Sequence, residues 1–168
     1  LQLGSVKDPE AVRRLLLLLA HQISGEVSVS ELSKTLSLSR QTVERYLDLL
    51  ERSFVIFRLG SYSTNLRKEV AKSKKIYFWD TGIRNALLKE FGLNFNRLDI
   101  GPLWENWVVA EFFKRNQLLG GHSDLYFWRS RHGTEIDLVI KNDGSLTAFE
   151  IKWQGKRPLV REAFSSVY

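Results

Sequence analysis

The sequence contains no cysteine and no methionine. Without cysteine the chain cannot form a disulfide scaffold, a zinc ribbon or a thiol nucleophile, and this absence fits a reducing, cytoplasmic location. The longest apolar run, residues 15–20, is far shorter than the ~20 residues that span a bilayer, so no membrane partner is expected. Because neither an initiator methionine nor a signal peptide opens the chain, we interpret it as a fragment of a longer protein.

Charge is distributed unevenly along the 168 residues, which carry a net charge of +6. Residues 1–75 hold 13 Lys and Arg against 8 Asp and Glu, whereas residues 76–168 hold 12 against 11. A basic first half favours a polyanionic partner. A merely solvated basic surface is the alternative. The hydrophobic content of 43 % is sufficient for a packed core in one domain or two small ones.

The first half has the pattern of three helices and a hairpin. Pro9 suits a first helical turn, Ser28 and Glu31 have capping-box spacing, and Ser39 can cap a third helix. Residues 54–59 and 75–79 then read as two strands. This order predicts a winged helix-turn-helix domain over residues 1–75.

The third helix would present its polar side chains to a DNA major groove. Its charges cancel between residues 39 and 53, and winged helices also serve as protein-docking modules, so docking is the alternative. The basic segment of residues 67–75 favours duplex DNA. The predicted DNA-binding residues are Arg40, Gln41, Arg45, Arg67, Lys68, Lys72, Lys74 and Lys75.

The second half predicts a helix over residues 103–119 followed by three strands, at 124–129, 135–141 and 146–153. Asp143-Gly144 is a strong signal for a two-residue hairpin turn between the last two strands. In that register Asp137 lies opposite Glu150, with Lys152 on the same face. Two facing carboxylates require compensation, by a divalent cation such as magnesium or by screening water.

The order of these acidic residues resembles the PD-(D/E)XK nuclease superfamily. The resemblance implies that Asp137 and Glu150 are ligands of Mg (or Mn) and that Lys152 positions the attacking water. Glu105 matches the helical glutamate of many members. The superfamily's closing strand is not evident, so the domain of residues 76–168 is expected to be truncated at its C-terminus.

A closer resemblance covers nearly the whole chain. The segments that carry it are Ser39-Arg40-Gln41-Thr42-Val43, Tyr46-Leu47-Asp48-Leu49-Leu50, Tyr77-Phe78-Trp79-Asp80-Thr81-Gly82, Leu103-Trp104-Glu105-Asn106, Tyr126-Phe127-Trp128-Arg129 and Phe149-Glu150-Ile151-Lys152. They resemble the C-terminal domain of unknown function 4143 that follows the P-loop domain in prokaryotic AAA-type ATPases. The resemblance implies that an ATPase domain precedes residue 1. ATP is expected to bind only to that domain, because this chain has no P-loop motif of its own.

The sequence therefore predicts an α+β chain, a winged helix followed by a PD-(D/E)XK-like helix and three-strand core. The favoured function is DNA binding beside a metal-dependent phosphodiester hydrolase site formed by Glu105, Asp137, Glu150 and Lys152. The alternative is a non-enzymatic interaction module on a degenerate nuclease fold. The sequence leaves the oligomeric state open.

Overall fold

The chain is an α+β protein with both element types in each half. The computed structural model describes residues 8–63, 74–92, 96–130 and 133–154. These residues form five helices and six strands: α1 Pro9–His21, β1 Glu26–Val27, α2 Val29–Leu36, α3 Arg40–Arg52, β2 Ile56–Ser61, β3 Lys74–Phe78, α4 Thr81–Leu88, α5 Ile100–Leu118, β4 Asp124–Arg129, β5 Glu135–Asn142 and β6 Ser145–Phe149.

The first three helices begin where short polar side chains satisfy free backbone amides. Pro9 opens α1, and the Asp8 carboxylate accepts from the amide of Ala11 at 2.9 Å. The hydroxyl of Ser28 accepts from the amide of Glu31 at 3.3 Å. Ser39 does the same for α3, accepting from the amide of Thr42 at 3.1 Å. The predicted helix starts are confirmed, because an N-cap depends on residues only three apart.

The apolar faces of these helices form one core against β2 and β3. Val43, Tyr46, Leu47 and Leu50 of α3 are at most 5 % exposed. They pack in a cluster with buried leucines of α1 and α2. The predicted stripe of α3 is therefore its buried face, and its remaining positions are left for solvent.

A single mixed sheet runs through the described residues in the order β1-β3-β2-β4-β5-β6. Strands β1, β3 and β2 are antiparallel, β2 pairs in parallel with β4, and β4, β5 and β6 form an antiparallel meander. The predicted division between residues 75 and 76 lies inside β3. The two predicted domains therefore share this strand, and β2 and β4 join them edge to edge.

The hairpin between β5 and β6 has the predicted register. Asp143 and Gly144 both have positive φ, 42° and 83°, and Asn142 pairs with Ser145, as a two-residue turn requires. However, β6 ends at Phe149, so the prediction of a strand to residue 153 is wrong. The amide of Ile151 donates to the carboxylate of Asp137 at 2.7 Å, and this side chain takes the place of a strand partner.

Helix α5 is held to the end of β3 by one buried amide side chain. Asn106 is fully buried; its Oδ1 accepts from the amide of Phe78 at 2.7 Å, and its Nδ2 donates to the carbonyl of Phe78 at 2.8 Å. The side chain thus pairs with Phe78 as a neighbouring strand would. Helix α5 begins at Ile100, three residues before its predicted start.

No helix in the described part of the chain is both long and apolar enough to cross a bilayer.

Candidate functional site: a lysine enclosed by carboxylates, and an exposed helix face

Lys75 lies in the interior, where β3, α5 and β5 meet. Its side chain is only 3 % exposed. The ammonium donates to Oε1 of Glu105 on α5 at 2.9 Å, and it is ion-paired with Glu135 at the start of β5. Two carboxylates from two separate elements therefore share one lysine nitrogen, and both elements belong to the second half of the chain.

Tyr77 follows on the same face of β3 and completes the hydrogen bonding of Glu105. Its hydroxyl donates to the same Oε1 atom at 2.8 Å, and the residue is fully buried. Strand alternation places residues 75 and 77 on one side of β3. Glu105 thus accepts from two donors that this single strand supplies.

Asp137 lies beside this group on β5 and is 7 % exposed. Besides accepting from the amide of Ile151, it is close enough to Lys75, Lys152 and Glu135 for their charges to act on its carboxyl group. We call Lys75, Tyr77, Glu105, Glu135 and Asp137 the carboxylate–lysine cluster.

The other two predicted catalytic residues, Glu150 and Lys152, lie at the edge of the cluster. They form an ion pair with each other at 3.2 Å, and the Lys152 side chain is 58 % exposed whereas that of Glu150 is 13 % exposed. The geometry thus places Glu105 and Asp137 inside and Lys152 towards solvent.

Burial and charge shift the pKa values of the cluster in opposite directions. Burial raises the pKa of Glu105, and Lys75 opposes that effect. Burial also raises the pKa of Asp137, against the amide of Ile151. For Glu135 burial acts in the same direction, but bonds to Lys75 and Arg129 outweigh it and lower the pKa.

The pKa values of Lys75 and Tyr77, the two hydrogen-bond donors of the cluster, are shifted in the direction that this pairing requires. Burial would lower the pKa of Lys75, but Glu105 and Glu135 outweigh it and the pKa is raised. Burial and the neighbouring Glu105 together hold the pKa of Tyr77 well above its usual range. At neutral pH the lysine is therefore an ammonium and the tyrosine a neutral donor.

The carboxylate oxygens of this arrangement do not form a ligand set for a divalent cation. Among the described residues, no three His, Asp or Glu side chains are grouped so that they could hold a metal ion. The ammonium of Lys75 already bonds to Glu105 and Glu135, and a backbone amide bonds to Asp137. The expected Mg or Mn site stays a prediction that this arrangement does not support.

Sequence reasoning missed Lys75, Tyr77 and Glu135 as members of the site. It assigned Lys75 to the DNA-binding surface, whereas the structure buries this ammonium between two carboxylates. Glu135 pairs with Arg129 of β4 as well as with Lys75. The apolar residues that follow Lys75 in β3 were the available signal for its burial.

The exposed face of α3 is the second candidate site. Arg40, Gln41 and Arg45 are all exposed, as predicted from the helical pattern. Arg45 also lies over the ring of Tyr46, 5.4 Å from its centroid. These three side chains form what we call the α3 basic face.

Arg58 of β2 binds the acidic residues of α3. Its guanidinium contacts Glu44 at 3.1 Å, Asp48 at 2.5 Å and Glu51 at 2.6 Å. A planar guanidinium can serve several carboxylates at once because it carries five donors in a fixed geometry. The net charge of α3 is zero, but its charges are separated in space. The three acids contact Arg58, whereas the arginines of the helix are exposed.

Of the other predicted DNA-binding residues, one is exposed and three lie outside the described residues. Lys74 is exposed at the start of β3, beside the buried Lys75. Arg67, Lys68 and Lys72 lie outside the described residues.

Two known families match the chain, and the larger match covers its first half. The model of the family "Domain of unknown function (DUF8612)" matches residues 1–94, more than half of the chain, so the chain belongs to this family. The model of a second family, "Domain of unknown function (DUF4143)", matches residues 100–167, which confirms that part of the resemblance seen in the sequence.

The similar proteins are all uncharacterized. One from Mycobacterium tuberculosis is 34 % identical over 155 residues, which cover 90 % of this chain and 34 % of that protein. One from Methanocaldococcus jannaschii is 32 % identical over 132 residues, covering 79 % of this chain and 25 % of that protein. The chain thus spans about a third or less of the length of these relatives. No solved structure gives a significant match.

Proposed function

We propose that this chain is a duplex-DNA-binding module in which α3 enters the major groove. The order α1-β1-α2-α3-β2-β3, with β1, β3 and β2 in one antiparallel sheet, matches the plan of a winged helix. In that plan the third helix carries the base contacts and the loop between the last two strands lies against the phosphates. The proposal has its strongest support in the α3 basic face.

The side chains of the α3 basic face are of the types that read base edges. Arginine forms two hydrogen bonds to guanine and glutamine two to adenine in the major groove. Arg40 and Arg45 also carry positive charge that attracts phosphate. Because Arg58 binds Glu44, Asp48 and Glu51, its positive charge offsets part of the negative charge of α3 that would repel DNA.

For the second half we favour a non-enzymatic role on a PD-(D/E)XK-like scaffold. Helix α5 followed by the meander β4-β5-β6 supports the nuclease-like interpretation of the fold. The enclosure of Lys75 by Glu105 and Glu135 favours the degenerate form of that site over an active hydrolase. In the longer protein we place this module after a P-loop ATPase domain in the cytoplasm, on the resemblance to the tails of such ATPases.

Fluorescence anisotropy with a labelled duplex tests DNA binding. The double variant Arg40→Ala, Arg45→Ala should bind about tenfold or more weakly than the wild type, since each good arginine contact contributes roughly 1–3 kcal/mol. The matched control is Lys114→Ala, Arg115→Ala on α5, which removes the same charge far along the chain. Equal weakening by both doubles would show charge attraction without a docking face, and no binding at low salt would favour a protein-docking module.

A plasmid-nicking assay tests the enzymatic alternative. With Mg²⁺ or Mn²⁺ present, the wild-type chain should leave supercoiled DNA intact over hours. Nicking that is lost in Asp137→Asn would establish the hydrolase and refute the non-enzymatic proposal. This assay is independent of the anisotropy result, because a winged helix can bind DNA with or without an active nuclease-like site.

A further inference from the structure

Lys75 lies between the carboxylates of the carboxylate–lysine cluster and supplies positive charge there. Its nitrogen bonds to oxygens of both Glu105 and Glu135. Two oxygens that share one nitrogen lie within reach of a single small cation.

Burial makes this arrangement depend on a cation. Lys75 is 3 % exposed and Asp137 is 7 % exposed, and the side chain of Glu105 is 16 % exposed. Ionised carboxylates with so little solvent are strongly destabilising unless a positive charge is in direct contact. The ammonium of Lys75 supplies that contact, and the hydroxyl of Tyr77 satisfies Glu105 further.

The lysine and the carboxylates come from different parts of the chain. Lys75 belongs to β3, which pairs with β1 and β2, whereas the carboxylates belong to α5 and β5. The same two parts are also joined by Asn106 and Phe78. The ammonium is therefore carried by a strand that is paired on both sides, by β1 and by β2.

We infer that Lys75 is the built-in cation of this cluster, so that the chain binds no divalent cation there and Lys75→Met turns the cluster into a divalent-cation site. Removing the ammonium leaves Glu105 and Glu135, which both contact its nitrogen, without their cation. Hard divalent cations prefer carboxylate oxygens, so Mn²⁺ would replace the lost charge. The inference does not depend on DNA binding, since none of these residues lies on the α3 basic face.

Thermal unfolding and calorimetric titration of the 168-residue chain with Mn²⁺ test this inference. The Tm of the wild type should not change with Mn²⁺, and no saturable binding should appear. Lys75→Met should bind Mn²⁺, and a tenfold excess over its Kd should raise its Tm by about 3–6 °C. Lys75→Met, Glu105→Gln should lose that gain, whereas the adjacent exposed control Lys74→Met should behave as the wild type.

Two results would overturn the inference. One is Mn²⁺ binding by the wild type that Glu105→Gln abolishes, because a divalent cation would then enter the cluster with Lys75 present. The other is a folded Lys75→Met that does not bind Mn²⁺. Metal binding is measured without DNA, so either failure is distinguishable from a failure of the proposed DNA binding.

Amine acylation of the wild type provides a decision if Lys75→Met does not fold even with Mn²⁺. Peptide mapping by mass spectrometry reports the acylation of Lys74 and Lys75 separately. Lys74 should react readily, and Lys75 should stay protected both without and with millimolar Mn²⁺. Acylation of Lys75 that appears only with Mn²⁺ would show that the metal displaces the ammonium, and would contradict the inference.

Discussion

Glu105 and Asn106 are neighbours in sequence, and each bonds to β3 in a different way. Glu105 bonds to side chains, those of Lys75 and Tyr77. Asn106 bonds to backbone, both polar groups of Phe78. The pair therefore fixes where α5 lies along β3. Glu105, which the sequence assigned to catalysis, is bonded to Lys75 in the structure.

Replacing Asn106 should lower the free energy of unfolding by more than two ordinary hydrogen bonds contribute. Asn106→Ala leaves the amide and carbonyl of Phe78 buried without that partner, which costs about 2–4 kcal/mol of unfolding free energy. Urea unfolding followed by circular dichroism measures this loss. The matched control is Asn116→Ala, whose amide makes the same double contact with Ser123 in a partly buried setting.

The control should lose about 1 kcal/mol, because water can replace the missing bonds where the backbone is less buried. Equal losses at the two positions would contradict the importance of burial at Phe78.

The raised pKa of Glu105 predicts a pH dependence of stability. Burial holds the folded pKa above the ordinary glutamate value of about 4.3. Folding then favours the protonated form, so this contribution is fully present below about pH 4 and is lost as pH rises through the folded pKa. Glu105→Gln should flatten the decline in unfolding free energy over that window.

Urea unfolding at a series of pH values from 4 to 8 checks this expectation. Glu111→Gln is the control, since Glu111 lies on the same helix with its side chain 47 % exposed and paired with Lys114. A decline that is as steep in Glu105→Gln as in the control would assign the pH dependence to other groups.

At the scale of elements, α3 depends on β2 for its electrostatic character. Arg58 is the only residue of β2 with charge, and its side chain is 16 % exposed while it contacts three acids of α3. The strand thereby determines which charges of the helix are compensated. A count along the helix alone gives neutrality and misses this arrangement.

Removing Arg58 should weaken DNA binding although we place it outside the DNA contacts. Arg58→Met frees Glu44, Asp48 and Glu51 to repel phosphate, and duplex affinity should fall roughly tenfold. Anisotropy measures the affinity, and circular dichroism confirms that the variant is folded. Arg58→Lys should restore only part of the affinity, because an ammonium cannot match the guanidinium's fixed donors. Unchanged affinity in folded Arg58→Met would contradict this role.

Local signals explain which elements the sequence predicted. The start of α1 at Pro9, the caps of α2 and α3 and the Asp143-Gly144 turn depend on residues a few positions apart, and all four are confirmed. The end of β6 was predicted wrongly because it depends on a bond from Ile151 to the side chain of Asp137, 14 residues away. Pattern reading counts residue types along a strand and does not see such a substitution for a backbone partner.

At the scale of the whole molecule, the continuous sheet decides the role of Lys75. Charge counting divides the chain at residue 75 and groups Lys75 with its basic neighbours. The parallel pairing of β2 with β4 brings the second half against β3, and the lysine becomes enclosed. Pairings between distant strands leave no local pattern, so sequence reasoning placed Glu105 and Asp137 in one site but missed the lysine between them.

The salt dependence of duplex affinity tests the central proposal most directly. Each phosphate contact releases counterions, and the slope of log K against log salt changes by about 0.9 per contact. We predict a steep slope for the wild type and a slope shallower by about two in Arg40→Ala, Arg45→Ala, with no change in Lys114→Ala, Arg115→Ala. An unchanged slope in the α3 double variant, or no binding at low salt, would contradict the account.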